Sequence, residues 1–138
     1  MSEPASPRDV IQCLIQGISK GGWLELHELY AQDAVVEYPF ALPGGPARLE
    51  GRPAIRRYFA AVARLPLELK ACHITLHETR DPEVVIAEYD YDGRVTTTGR
   101  SFQVPNIQVS RVRDGQIVTS RDYHNHPVLA DAAAQRLA

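Results

Sequence analysis

From Leu67 onward the hydrophobic period is two, and it holds through four consecutive segments: Leu67 to Thr79, Val84 to Tyr91, Arg94 to Arg113 and Gln116 to His126. Successive side chains of a strand point to opposite faces, so each segment can bury one face and wet the other. Asp81-Pro82, Asp92-Gly93 and Asp114-Gly115 supply turn chemistry between them. Close to half of the chain is thereby committed to an antiparallel meander whose apolar face has to be covered.

The cover comes from the first half. Ser6, Pro7 and Asp9 read as an N-cap, a first-turn proline and a capping acid, after which Val10, Ile11, Leu14, Ile15 and Ile18 recur on one helical face until Gly21-Gly22. Trp23, Leu26, Leu29 and Tyr30 predict a second amphipathic helix of about two turns. Ala34 to Phe40 predicts a strand, and the proline- and glycine-rich ALPGGPARLEG a long loop. Gly51 to Leu65 predicts the third helix, with Ile55, Tyr58, Phe59, Val62 and Leu65 as its buried stripe and Pro66 as its stop. The residues after Pro127 predict a short alanine-rich helix or a frayed tail. The fold class is therefore α+β, a strongly curved sheet holding helices on its concave side.

A chain of 138 residues can build one core, so a single domain over 1–138 and a single site are expected. A net charge of -2 gives no attraction for phosphate backbones or anionic lipid, which excludes nucleic acid and membrane surfaces as partners. Arg52, Arg56, Arg57 and Arg64 are spaced for the wet face of a helix. MSEPASPRD has neither a basic start nor an apolar stretch, and a cytoplasmic location is expected. Cys13 and Cys72 form no CxxC pattern and are expected as buried free thiols. No phosphate-binding glycine loop, GxSxG elbow or dinucleotide fingerprint occurs, so no cofactor is expected.

The element order, together with LHELYAQDAVVEYPF and LEGRPAIRRYF, resembles the SnoaL-like branch of the NTF2-like superfamily, which also contains ketosteroid isomerases. The resemblance implies a cone with an apolar cavity between a curved mixed or antiparallel sheet and three N-terminal helices, an apolar small-molecule ligand, and a homodimer formed through the outer face of the sheet. Ketosteroid isomerases place an aspartate base, a helix tyrosine and a protonated aspartate where this chain has Tyr38, Leu14 and Gln108, so the resemblance does not extend to that activity. Arg121-Asp122-Tyr123 and Asn125 are similar in order to a strand end of the phenazine-biosynthesis A/B proteins, whose acid projects into the pocket.

Over Gln116 to His126, strand parity puts Val118, Ser120, Asp122, His124 and His126 on one face and Ile117, Thr119, Arg121, Tyr123 and Asn125 on the other. By comparison with the family, the Asp122 face lines the cavity. A carboxylate among apolar walls loses hydration, which lifts its proton affinity into the range of a general base or acid, and His124 is placed to relay or tune that proton. Asp122 and His124 are thus the candidate catalytic residues. Tyr38, Asn106 and Gln108 are candidates for orienting a substrate oxygen, and Leu14, Trp23 and Phe59 for apolar lining. A structural alternative pairs Asp122 with Arg100. His73, His77, His124 and His126 are weighed as metal ligands and set aside, since no glutamate follows at a suitable spacing. The expected function is acid-base chemistry next to a carbonyl of an apolar cyclic or polyketide-like molecule: isomerisation, cyclisation or dehydration. A non-catalytic binding or assembly protein on the same scaffold is the alternative.

Overall fold

The computed structural model describes residues 4–134. Helix α1 (Pro7–Ser19) starts as its sequence dictates, with extended Ser6 accepting from the Asp9 amide at 3.2 Å. It stops at Gly21, whose φ of 73° lets the Gly21 amide reach Ile18 O and the Gly22 amide reach Gly17 O. Val10, Ile11, Leu14, Ile15 and Ile18 are buried along its inner stripe.

The expected two-turn second helix is only a 3-10 turn, Leu26–Leu29. Its entry at Glu25 lacks a side-chain cap, and Tyr30 is already extended and paired with Ile117, so no length is left for a second turn. Strand β1 (Tyr30–Glu37) accordingly begins earlier and ends earlier than the apolar run suggested. The loop that follows contains a strand that the sequence reading missed, β2 (Arg48–Glu50), antiparallel to β1 with Val35 opposite Glu50. Helix α2 (Arg52–Ala63) then buries Ile55 and Phe59. Arg56, Arg57 and Arg64 are exposed as expected, but Arg52 donates to Tyr30 O at 2.8 Å and ties helix to strand.

Four long strands complete the sheet: β3 (Leu67–Glu78), β4 (Val84–Val95), β5 (Ser101–Arg113) and β6 (Gln116–His124). The spatial order is β2-β1-β6-β5-β4-β3, antiparallel throughout except for β1 against β6. Asp92-Gly93 is not a turn. It lies inside β4, where Gly93 leaves room for the Phe102 ring; a Cβ there would sit 2.3 Å from it. The hairpin closes four residues later, with Val95 N donating to Arg100 O at 2.8 Å, so β5 starts at Ser101 and not at Arg94. Asp114-Gly115 does turn, both residues at positive φ. The register of β6 slips near Val118, which buries Ile117 instead, and from Ser120 the predicted face is kept. The strand ends at His124, and His126 opens helix α3 (His126–Ala134); residues 135–138 of the expected tail lie outside the described residues.

One hydrophobic cluster joins α1, α2 and the concave face of the sheet, giving the α+β, NTF2-like cone. The thiols depart from expectation: Cys13 is exposed on the outer side of α1, and Cys72 is half-buried at the edge-strand bulge between Cys72 and Thr75. Among the described residues no helix is long and apolar enough to cross a membrane.

Candidate active site

A cavity of about 130 Å³ opens between the concave face of the sheet, α1, α2 and α3. Its walls carry seven aromatic rings, from Trp23, Tyr30, Tyr38, Tyr58, Phe59, Tyr89 and Tyr91, with Leu14, Leu69 and Leu129 among the aliphatic residues. Gln108, Asp122 and His124 break the apolar surface on the β5–β6 side, and among the described residues no lysine or arginine lines it. Of the expected residues, Tyr38, Gln108, Leu14, Trp23, Phe59, Asp122 and His124 all border this space. Asn106 does not; only 3% exposed, it stands beside His124 and away from the cavity.

The polar wall is one connected chain of hydrogen bonds. Tyr89 OH donates to Gln108 Oε1 at 3.2 Å, and Gln108 Nε2 donates to the hydroxyls of Ser110 and Ser120 at 3.2 and 3.3 Å. Ser120 Oγ donates to Asp122 Oδ1 at 2.5 Å. A hydroxyl has one proton, so the Ser110–Ser120 contact of 3.1 Å runs from Ser110 to Ser120. Gln108 therefore has its amide engaged by the protein, and its part is to hold the serines that orient Asp122.

On the neighbouring position, His124 Nδ1 lies 2.5 Å from Asn106 Oδ1, and Asn106 Nδ2 donates to Val104 O at 2.9 Å. Asp122 Oδ2 and His124 Nε2 are left facing each other at 3.8 Å, too far for a direct hydrogen bond. Among the described residues neither atom has a hydrogen-bond partner within the protein. Burial pushes the Asp122 carboxyl up to about 7, partly offset by Ser120. Burial, and then the His126 ring, push His124 down to about 4. Burial, then Tyr58 and Asp122, raise the Tyr38 phenol.

Arg100 does not pair with Asp122. It lies 3.6 Å from Asp131 and ties α3 to the β4–β5 turn. His73 and His77 are held at 2.9 and 2.6 Å by Asp90 and Glu88 on the opposite face of the sheet from Tyr89, and the strand bulge separates them. His126 packs its ring 5.8 Å from those of Tyr38 and His124, although it has left the strand. Among the described residues no three His, Cys, Asp or Glu side chains converge as a metal-binding set.

Several lining residues escaped the sequence reading. Tyr89 and Tyr91 share their strand's inner face with Ala87, so parity alone could have found them. The spacing of Tyr58 marks it only as part of a buried stripe. Leu129 carried no signal, because the alanine-rich segment around it does not announce which way α3 turns.

The comparisons with known proteins agree with this architecture. A 34% identical relative, over 81% of this chain and 77% of its own, is an uncharacterized PhzA/B-like protein of Pseudomonas aeruginosa. The crystal structure of a candidate isomerase from Bacillus subtilis superposes with a TM-score of 0.82 at 32% identity, covering 90% of this chain and 89% of that one. A Catenulispora acidiphila protein with a ketosteroid isomerase-like fold, solved with trimethylamine, shares the fold at a TM-score of 0.71 and 19% identity, over 95% and 94% of the two chains. The model of the SnoaL-like domain matches residues 11–120, and the chain belongs to that family.

Proposed function

We propose that this protein is a cofactor-independent enzyme that binds a neutral, single-ring carbonyl compound in its cone cavity and moves a proton between the carbonyl oxygen and an adjacent carbon. The observation that carries this reading is the pair Asp122 Oδ2 and His124 Nε2, two unpartnered polar atoms 3.8 Å apart on one wall of an otherwise apolar, aromatic space. Such a wall removes water from a carboxyl and an imidazole, so that near neutral pH the two can share one proton in place of forming an ion pair. A cavity of about 130 Å³ compares with the ~150 Å³ that accommodates benzene, which suits one ring rather than a multi-ring polyketide. Among the described residues no lysine or arginine lines the walls, which disfavours an anionic substrate. Tyr38 supplies a phenol to orient the carbonyl from β1.

Proton NMR in D2O tests the reading. The wild-type protein is expected to accelerate deuterium incorporation next to the carbonyl of cyclohexanone or cyclohexenone, with Asp122→Asn and His124→Ala each losing about 100-fold or more of that acceleration. Exchange no faster than in buffer across such six-membered ketones and enones would sink it.

A second reading rests on the same walls. Seven aromatic rings around one carboxyl also suit a small organic cation, and the fold relative solved with trimethylamine points the same way. In that case the protein is a binder without turnover, and Asp122→Asn abolishes trimethylammonium affinity. For the enzyme, the same substitution spares ketone affinity and removes exchange.

A further inference from the structure

We infer that Asn106 is a positioning residue that fixes the tautomer of His124, making His124 Nε2 the proton acceptor of the site and Asp122 Oδ2 its donor. The inference rests on the proton-transfer reading above and reverses the expectation that Asp122 is the base. Its ground is a chain of donors and acceptors that permits one tautomer of His124.

Val104 O can only accept, so the Asn106 amide must turn its NH2 toward it, at 2.9 Å. Asn106 Oδ1, which can only accept, then faces His124 Nδ1 at 2.5 Å, and Nδ1 must carry the ring proton. The neutral ring consequently presents a lone pair at Nε2. The carboxyl is fixed in the complementary sense. With Oδ1 accepting the Ser120 hydroxyl at 2.5 Å, Oδ2 is the oxygen free to take a proton, and it lies on the side of His124 Nε2. One donor and one acceptor thus stand 3.8 Å apart, spaced for the two ends of a C–C=O unit and not for each other.

The groups facing His124 from each packed element are compatible with this division. Asp122 lies on its own strand, Asn106 on β5, Tyr38 on β1 with ring centroids 6.1 Å apart, and His126 at the start of α3 at 5.8 Å. In the step itself, the C–H bond next to the carbonyl breaks and its proton goes to Nε2. The C–H electron pair forms the C=C bond, and the Oδ2 proton passes to the carbonyl oxygen. An enol, an imidazolium and a carboxylate result. Return of the imidazolium proton to a different carbon and of the enol proton to Oδ2 completes an isomerisation with no net proton change.

The test is nitrogen-15 NMR of histidine-labelled, ligand-free protein at neutral pH, read together with the ketone exchange assay. His124 is expected to show a protonated Nδ1 and an unprotonated Nε2. Asn106→Leu, which keeps the volume but removes the acceptor, should populate the other tautomer and lower kcat at least tenfold with KM little changed, whereas Asn106→Asp should restore the native tautomer. A wild-type His124 protonated on Nε2, or a Leu variant whose tautomer is unaltered, overturns the assignment. If the Leu variant does not fold, the wild-type spectrum decides alone. Because the tautomer is read without substrate, failure of the exchange reaction would count against the proposed function and the acceptor and donor roles, and leave the Asn106–His124 tautomer assignment standing.

Discussion

Asp122 and His124 sit in the same dry wall, and dryness moves their proton affinities in opposite directions because it penalises whichever form is charged. The consequence for stability can be signed. Asp122 holds its proton more tightly folded than unfolded, from 3.8 to about 7, so the folded state loses stability as pH rises from about 4 through 7. His124, lowered from 6.5 to about 4, works the other way: the unfolded state binds more protons between those values, so stability rises with pH there. The two slopes oppose each other, and wild-type stability is expected to change little between about pH 4.5 and 6. Asp122→Asn removes the first slope and should grow steadily more stable relative to wild type up to about pH 7–8, by as much as about 4 kcal/mol. Urea unfolding at pH 4.5, 6 and 8 reads this, and a variant no more stabilising at pH 8 than at pH 4.5 refutes it. Ser120→Ala takes away the hydrogen bond that favours the carboxylate, so the Asp122 limb of the pH–rate profile should move to higher pH. At this scale parity grouped Asp122 with His124 and Asn106 with Gln108, and the family resemblance turned those faces and Tyr38 toward the cavity. It placed Asn106 on the right face but could not say how deep that side chain sits or that a histidine stands in front of it.

At the scale of elements, the sequence was most legible where local chemistry and tertiary demand coincide. The α1 caps, the Asp114-Gly115 turn and the long strands all follow from residues a few positions apart. Asp92-Gly93 shows the opposite case, because a dipeptide with turn chemistry is overruled by a distant ring that needs its missing side chain. Gly93→Ala is therefore expected to destabilise the protein by about 1–3 kcal/mol through overpacking. Adding Phe102→Ala should make the double variant less unstable than the sum of the single changes, as measured by denaturant unfolding. Strict additivity would mean that the ring and the glycine are not coupled. Strand β2 was illegible for a related reason: three residues, Arg48, Leu49 and Glu50, carry no period of their own and are extended only because the edge of β1 offers them partners.

For the whole molecule, the family was legible early because its signature lies in how helix, turn and first strand follow one another, which packing around a cone preserves. The partner was not. We propose, from the family resemblance, that two copies associate through the outer face of the sheet, where Ile74 and Ile107 are 46% and 43% exposed. Sedimentation equilibrium should then give twice the 15.3 kDa chain mass, and Ile74→Lys with Ile107→Lys should give a monomer with an unaltered cavity. A wild-type monomer at micromolar concentration would rule this out.

The single parallel pairing, β1 beside β6, has a consequence for biosynthesis. Val36 lies opposite Ser120 across more than half of the chain, so the first strand to leave the ribosome finds its inner neighbour only once the last has emerged. Asp122 and His124 both belong to that late strand. A nascent chain halted before Gln116 would hold most of its aromatic residues and neither Asp122 nor His124, with the open side of β1 free to recruit whatever β-edge lies nearest.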